Sequence, residues 1–243
     1  ILKFQIFIFS GLQSCIPNFS NLKGKKILCI NTDHKGKMWV LTDKGLLRYN
    51  DVSDLFSPIG MEEDGDQIPF SSIFPDESGV WFGSCGKLYR FEYSDEAFFH
   101  FCNIEGWEEF NITQICSFDE HKLLCSSRDG LMFIDKESGA ASVTPFGSRK
   151  EISAMLIDSK DRLWVAPYNQ GIEVYSKDGN LIRTYSSTNG NLSNDIVLCM
   201  AERNSAIWVG TDGGGINIIS TEDNTSDCLS YVSGDPMSFP ANC

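Results

Sequence analysis

Residues 27–50 read ILCINTDHKGKMWVLTDKGLLRYN, and the same pattern returns four more times, at 70–92, 112–135, 151–176 and 195–220. Four copies share an anchor tryptophan, and Leu124 takes its place in the third copy. The tryptophans are Trp39, Trp81, Trp164 and Trp208. With Leu124 counted as the third anchor, successive anchors lie 42, 43, 40 and 44 residues apart. A fixed period of this size, with strands in each unit, is typical of propellers and other repeat arrays. It excludes most folds that build an enzyme around a single site.

The fourth copy shows how one repeat folds. Residues 152–157 form a short apolar run that suits a strand buried on both faces. The turn 158–161 separates this run from a second strand at 162–166, which carries Trp164. Further strands follow at 172–175 and 181–185, with the hairpin sequence Ser-Lys-Asp-Gly between them. Four antiparallel strands in about forty residues indicate one blade of a β-propeller.

The other copies repeat this order of strands and turns, so the sequence predicts an all-β fold. We expect five four-stranded antiparallel blades at about 27–58, 70–101, 112–146, 151–185 and 195–232, with the last strand at 228–232. Residues 1–26 are either a lead-in strand or the remnant of a signal peptide, because ILKFQIFIFS is strongly apolar but too short to cross a bilayer. Residues 233–243 resemble the start of a truncated next blade.

The charge of the chain limits its partners. There are 20 basic and 33 acidic side chains, which gives a formal net charge of −13. Such a field repels phosphate backbones and anionic lipid surfaces. Together with the absence of a basic cluster in the sequence, it argues against nucleic-acid binding.

The nine cysteines do not form a recognisable framework. Their number is odd, no CxxC pair occurs, and a chain of 243 residues does not need disulfides to fold. Three of them, Cys29, Cys116 and Cys199, occupy similar places in apolar strands, which favours buried small hydrophobic side chains. None of the three histidines has zinc-ligand spacing to a cysteine. We therefore expect no metal and no cofactor.

The phrase common to the copies resembles the two-component regulator propeller repeat. The first copy carries the pattern as Asp33, Gly36, the run Met-Trp-Val at 38–40, Thr42 and Gly45-Leu46. The segment 187–196 is similar to the segment that joins blades in that family. The resemblance covers about residues 17–240, and the third copy departs most, because it lacks the tryptophan and the first glycine.

This resemblance implies the sensor region of a bacterial hybrid two-component regulator. Such regions are extracytoplasmic, in the periplasm, and contain seven-bladed propellers, so the five blades here would be part of a seven-bladed propeller; a closed five-bladed ring is the alternative. The implied ligand is an oligosaccharide. The implied partners are the remaining blades, downstream signalling domains of the parent chain and, for the parent protein, a second copy in a homodimer.

Strand alternation places the second–third turn of every blade and the connections between blades on one face. Loops of a rigid scaffold commonly carry binding sites, and a mixture of aromatic, amide and charged side chains suits a sugar. Polar turns contain the same residue types by default. The ligand-binding candidates are Asp43, Lys44, Arg128, Asp129, Tyr168, Asn169, Gln170 and Asp212, with Trp107 from the connection 103–111.

The tryptophans have two interpretations. Trp39, Trp81, Trp164 and Trp208 recur at one place in the repeat, which indicates wedges packed between neighbouring blades. Trp107 lies outside the period and is flanked by acids, so it is either a binding platform or a plug over the gap between blades.

Two other functions remain open. Many propellers are protein-interaction scaffolds. Some are carbohydrate-active enzymes that use paired carboxylates, but the aspartates here repeat at one turn in four copies, which favours a structural role. The sequence has no nucleophile elbow or phosphate-binding glycine loop. We therefore expect no catalytic residues in this chain.

Overall fold

The computed structural model describes residues 20–63, 66–146, 150–231, 233–235 and 238. The expectation of a lead-in strand or signal remnant therefore lies largely outside the described residues, and so does most of the truncated blade expected at 233–243. What is described of the lead-in contains one 3-10 helix, Ser20–Leu22.

Blades 1 to 3 are four-stranded antiparallel sheets whose strands follow one another in chain order. Blade 1 consists of β1 (Ile27–Thr32), β2 (Met38–Thr42), β3 (Gly45–Asn50) and β4 (Leu55–Pro58). A separate hairpin follows, made of β5 (Glu62–Glu63) and β6 (Asp66–Gln67). Blade 2 consists of β7 (Ser72–Pro75), β8 (Gly79–Gly83), β9 (Lys87–Glu92) and β10 (Ala97–Asn103). Blade 3 consists of β11 (Gln114–Ser117), β12 (Lys122–Ser127), β13 (Gly130–Asp135) and β14 (Ala141–Val143).

Blades 4 and 5 have the same topology. Blade 4 consists of β15 (Ile152–Ile157), β16 (Leu163–Pro167), β17 (Ile172–Tyr175) and β18 (Leu181–Tyr185). Blade 5 consists of β19 (Val197–Arg203), β20 (Ala206–Thr211), β21 (Gly215–Ser220) and β22 (Ser226–Leu229). The prediction of an all-β chain with five four-stranded blades is confirmed.

The last strand of blade 5 differs from the prediction. It spans Ser226–Leu229 rather than 228–232. The Ser220 amide donates to the Thr225 carbonyl over 2.9 Å. This bond closes the preceding turn early, so the strand begins two residues sooner than the apolar pattern indicated.

The blades fall into two compact units. The first contains blades 1 and 2 and most of blade 3, and the second contains blades 4 and 5 together with the short segment 128–131. Within the described residues, no helix has the length and apolar content needed to cross a bilayer.

In the first unit, aromatic side chains fill the seams between consecutive sheets. Trp39 of blade 1 is fully buried, and its ring lies edge-on to Phe82 and Phe91 of blade 2, with centroids 5.7 and 5.1 Å apart. Trp81 of blade 2 shares an apolar cluster with Leu123 of blade 3. Edge-to-face contacts of this kind add to the free energy gained by burial.

In the second unit, only one of the two anchor tryptophans is fully enclosed. Trp164 of blade 4 is buried in a cluster that includes Val209 of blade 5. Trp208, the anchor of blade 5, is half-buried. The structure therefore packs three of the four anchors into seams between sheets and leaves part of the fourth accessible.

Candidate functional site

The turn between the second and third strands is held against the entry of its own blade. In blade 1 the Asp43 amide donates to the Lys26 carbonyl, at 2.9 Å. In blade 4 the Tyr168 amide donates to the Glu151 carbonyl, at 2.8 Å. Blade 5 repeats the contact with the Asp212 amide, again at 2.9 Å. Each of these turns therefore lies beside the connection that leads into its blade, as strand alternation predicts.

The turn of blade 4 presents an aromatic ring to solvent. Tyr168 is 51% exposed, and Asn169 next to it has a φ of 56°, which turns the chain sharply. Gly171 closes the turn at a φ of 73°, and a Cβ there would lie 2.1 Å from the Tyr185 carbonyl oxygen. Only glycine fits this position without a backbone shift, so the Tyr168 ring is displayed on a fixed turn.

Charged and amide groups belong to the same turn and to the blade entry that its backbone contacts. The Arg128 Nε lies 3.6 Å from Glu151 Oε2, and the Lys150 ammonium donates to the Gln170 side-chain carbonyl. Both partners of the Arg128–Glu151 pair are well exposed, so their attraction is weak and their polar atoms remain accessible. The structure thus brings Arg128, Tyr168 and Gln170 to one edge of the second unit.

Glu151 and Lys150 were not among the predicted candidates. Both immediately precede β15, and the sequence argument already placed such connections beside the second–third turns. Trp107 was the one predicted candidate from a connection, and the connection into blade 4 contributed none. We refer to Arg128, Lys150, Glu151, Tyr168 and Gln170 as the blade 4 cluster.

The remaining candidates have more local roles. The Asp43 carboxylate accepts the Lys26 amide at 2.8 Å, and the Lys44 amide donates to Thr42 Oγ1 at 3.1 Å, so both stabilise the turn of blade 1. Asp129 follows Arg128 and is half-buried, and Asp212 is exposed in blade 5.

Trp107 is not a binding platform. It is 1% exposed and packs in an apolar cluster with Leu88 and Ile112. Its carbonyl oxygen would lie 2.6 Å from a Cβ at Gly86, so the connection that carries it sits tightly against blade 2. The flanking acids suggested exposure, but Glu108 faces solvent while the indole turns inward. The plug interpretation fits this burial.

The repeated aspartates hold their turns and the anchor tryptophans. Asp76 accepts the amides of Ser78 and Gly79 and, at 2.7 Å, the indole N–H of Trp81. Arg90 donates to both oxygens of this carboxylate, at 2.9 and 3.0 Å. Burial would raise the pKa of Asp76, but the hydrogen bonds from Arg90 and Trp81 outweigh it and lower the pKa to about 2.

Blades 1 and 4 repeat this arrangement. The Trp39 indole donates to Asp33 at 2.9 Å, and the Trp164 indole donates to Asp158 at 2.8 Å. Burial opposes ionisation of Asp158, yet the Arg162 side chain and amide lower its pKa below the usual range. In blade 5 the corresponding carboxylate, Glu202, instead accepts the hydroxyl of Ser159 at 2.6 Å.

The described cysteines are all free thiols. Burial raises the pKa of Cys102 to about 11 and that of Cys116 to about 12. Burial raises the pKa values of Cys125 and Cys199 as well, whereas Cys85 is exposed. Among the described side chains, no group of three or more His, Cys, Asp or Glu is arranged to hold a metal ion.

No family model matches the chain, and no curated protein matches it in sequence. Solved structures do match in fold. The extracellular domain of BT3049, assigned to the hybrid two-component systems of B. thetaiotaomicron, aligns with a TM-score of 0.72 at 20% identity over 91% of this chain and 30% of that one. The chain thus spans less than a third of that domain.

Two further structures give the same fold with different functions. The extracellular domain of BT4673 from B. thetaiotaomicron, also assigned to the hybrid two-component systems, aligns at a TM-score of 0.54 and 16% identity, over 82% of this chain and 37% of that one. Virginiamycin B lyase from Staphylococcus aureus aligns at 0.65 and 14% identity, over 87% of this chain and 71% of that one. The chain is therefore similar to extracellular domains of hybrid two-component systems and, in the same fold, to a lyase.

Proposed function

We propose that this chain is part of the ligand-sensing, periplasmic propeller of a bacterial hybrid two-component regulator, and that its ligand is an oligosaccharide. The observation that carries the proposal is the blade 4 cluster. There a half-exposed tyrosine ring, held on a fixed turn, stands beside an amide and three charged side chains. An apolar face with polar groups around it offers both stacking and hydrogen bonds to a sugar.

The likeness to extracellular domains of two-component systems supports the proposed place of the chain in such a regulator. In this proposal the chain is completed by further blades to a seven-bladed propeller, and the parent protein pairs as a homodimer. Ligand binding is then signalled across the membrane by downstream domains.

A binding role fits the chemistry of the described residues better than an enzymatic one. The carboxylates of Asp33, Asp76 and Asp158 already accept indole and backbone N–H groups. A carboxylate that is needed to hold a turn is poorly placed to act as acid, base or nucleophile on a glycosidic bond. The likeness to a lyase, at 14% identity, carries over the fold alone.

Titration with oligosaccharides tests the proposal. The extracytoplasmic region of the parent protein is titrated by calorimetry with fragments of plant and host polysaccharides, as the wild type and as Tyr168→Ala and Arg128→Gln. Each variant is expected to lose at least about tenfold in affinity, which corresponds to about 1.4 kcal/mol. The matched control is Tyr231→Ala, which removes another exposed tyrosine of the second unit and should leave affinity unchanged.

Two results would contradict the proposal. One is the absence of binding to any oligosaccharide by the intact extracytoplasmic region. The other is sugar binding that survives both the Tyr168 and the Arg128 substitution at full strength. Thermal melts of each variant check that the fold is retained, as expected for exposed positions.

A protein-interaction scaffold is the second candidate. Val143 on β14 and Leu181 and Ile182 on β18 are more than half exposed in the second unit. Exposed apolar side chains on outer strands suit contact with another protein. Under this alternative Leu181→Ser and Ile182→Thr would abolish partner binding, while Tyr168→Ala would have no effect on any ligand.

A further inference from the structure

A cleft of about 340 Å³ opens between blades 1 and 2 in the first unit. It lies at the opposite ends of the strands from the predicted ligand turns, among the first–second and third–fourth turns. Its charged and phenolic lining consists of Asp33, Lys35, Lys37, Arg48, Tyr49, Asp51, Tyr93 and Glu96. This volume is at the lower end of the range for small-molecule pockets.

Arg48 is the most unusual group in this cleft. Its guanidinium carbon lies 5.4 Å from the Trp39 ring centroid and 5.5 Å from that of Phe91, so its position is fixed by two buried aromatic rings. Its side chain is 29% exposed, and its only ion-pair partner in the described chain is Glu96, at 3.8 Å. That separation is too long for a hydrogen bond. The donors of a largely desolvated guanidinium are thus left without an acceptor.

Blade 2 shows what this position binds when an acceptor is present. Arg48 pairs with Trp39 across the strands of blade 1, and Arg90 pairs with Trp81 at the equivalent place of blade 2. Arg90 holds the Asp76 carboxylate through two hydrogen bonds. A guanidinium at this site of the blade is therefore oriented for bidentate carboxylate binding.

The first turns of blades 1 and 2 also differ in length. Asp33 precedes its tryptophan by six residues and Asp76 precedes its tryptophan by five. In the longer turn Asp33 binds the amides of Lys35 and Lys37 and the indole of Trp39, and makes no bond to Arg48.

Two other donors face the same cleft. The Tyr93 hydroxyl is buried and makes no hydrogen bond of good geometry with the described residues. Burial and the nearby Asp33 carboxylate both raise its pKa, so it stays a protonated donor. The Lys35 ammonium lies 4.6 Å from the Tyr93 ring centroid and belongs to no ion pair within the described chain. A buried hydroxyl without a partner costs free energy that a ligand acceptor would recover.

The acidic lining does not satisfy these donors. The Asp33 carboxylate accepts hydrogen bonds from its own turn and from the Trp39 indole, and Asp51 pairs with Lys37. Glu96 has a side chain that is 75% exposed, and among the described residues it is the ion-pair partner of Arg48. Such an exposed partner is easily displaced.

We propose that this cleft binds a small carboxylate-bearing molecule. The ligand carboxylate replaces Glu96 and takes two N–H groups of Arg48, as Asp76 does with Arg90. The Tyr93 hydroxyl and the Lys35 ammonium donate to the remaining oxygens of the ligand. The site is separate from the blade 4 cluster and goes beyond the proposed function.

A matched pair of probes isolates the carboxylate. D-glucuronate and D-glucose are titrated at low ionic strength into the chain and followed by NMR shifts of labelled tryptophan and tyrosine side chains. Glucuronate is expected to bind and glucose is not. Arg48→Gln should weaken glucuronate binding at least about tenfold, and Glu96→Gln should strengthen it about threefold, because a competing anion is removed.

Controls separate this site from the proposed sugar site and from misfolding. Arg128→Gln and Tyr168→Ala, which test the blade 4 cluster, should leave glucuronate binding unchanged. Glu96 is exposed, so Glu96→Gln keeps the test valid even if Arg48→Gln fails to fold. Arg48→Lys keeps the charge but not the two-pronged geometry, and should give an intermediate loss.

Three results would overturn the inference. Glucose could bind as tightly as glucuronate, or sulfate could bind as tightly as either, which would remove the preference for a carboxylate. Alternatively, glucuronate binding could be insensitive to both Arg48→Gln and Glu96→Gln, which would place the anion elsewhere.

Discussion

Blades 1 and 2 carry an arginine at the same place beside their anchor tryptophans, but the two arginines are used differently. Arg90 is 7% exposed and shares two hydrogen bonds with Asp76. Arg48 rests on aromatic rings and faces a cleft without a hydrogen-bonded acceptor. The first turn of blade 1 is also one residue longer than that of blade 2. The repeat thus places a guanidinium at the same point in both blades, while the first turn of each blade determines which carboxylate lies near it.

Removing the carboxylate beside each arginine should give the largest contrast. Asp76→Ala leaves the Arg90 guanidinium buried and unpaired and also frees the Trp81 indole, so we expect about 3–5 kcal/mol of destabilisation. Glu96→Ala removes an exposed partner at 3.8 Å, and should cost less than about 0.5 kcal/mol. Urea unfolding followed by tryptophan fluorescence measures both. Equal losses would show that the two arginines are not used differently.

Acid should act on blade 2 through Asp76. Its pKa falls from the ordinary 3.8 to about 2 on folding. A lowered pKa stabilises the fold fully above pH 4, and this contribution disappears as the pH falls from about 4 to 2. The loss is about 2 kcal/mol.

The measurement is the free energy of unfolding of the wild type and of Asp76→Asn at several pH values in this window. The difference between the two proteins should shrink as the pH falls. Parallel curves for the two proteins would contradict the role given to Asp76.

The smallest effect should come from the cleft itself. Tyr93→Phe removes a buried hydroxyl that makes no hydrogen bond with the described residues, so stability should stay unchanged or rise by up to about 1 kcal/mol. Tyr89→Phe is the matched control, because the Tyr89 hydroxyl donates to Glu63 over 3.3 Å. Its removal should slightly lower the free energy of unfolding. A clear destabilisation by Tyr93→Phe would mean that its hydroxyl is satisfied in the free protein.

The repeat made the fold predictable from the sequence. Asp33, Asp76 and Asp158 each stand five or six residues before a tryptophan, and the structure shows the carboxylate bonded to that indole. Local turn chemistry and the apolar strand after it therefore specify each blade almost independently of the others. The same local character explains why the all-β assignment and the number of blades could be predicted.

The sites were less predictable because they depend on contacts outside the repeat. Trp107 is enclosed by the packing of its connection against blade 2, which no local pattern encodes. Glu151 lies 3.6 Å from Arg128, which comes from the second–third turn of the preceding blade, and no local pattern encodes that contact. The cleft at Arg48 lies between blades 1 and 2 and is lined by turns of both blades, and the repeat pattern of a single copy does not encode it.

Hydrogen bonds between neighbouring blades link residues that are nearly one repeat apart. Ser71 Oγ donates to the Ile112 carbonyl, 41 positions later, and Ser159 Oγ donates to Glu202, 43 positions later. A ribosome adds about 5–20 residues per second, so the partner of each such bond is made roughly 2–8 seconds after the donor. Each blade can dock on its predecessor during synthesis, and a nascent chain needs to shield only one unfinished seam at a time.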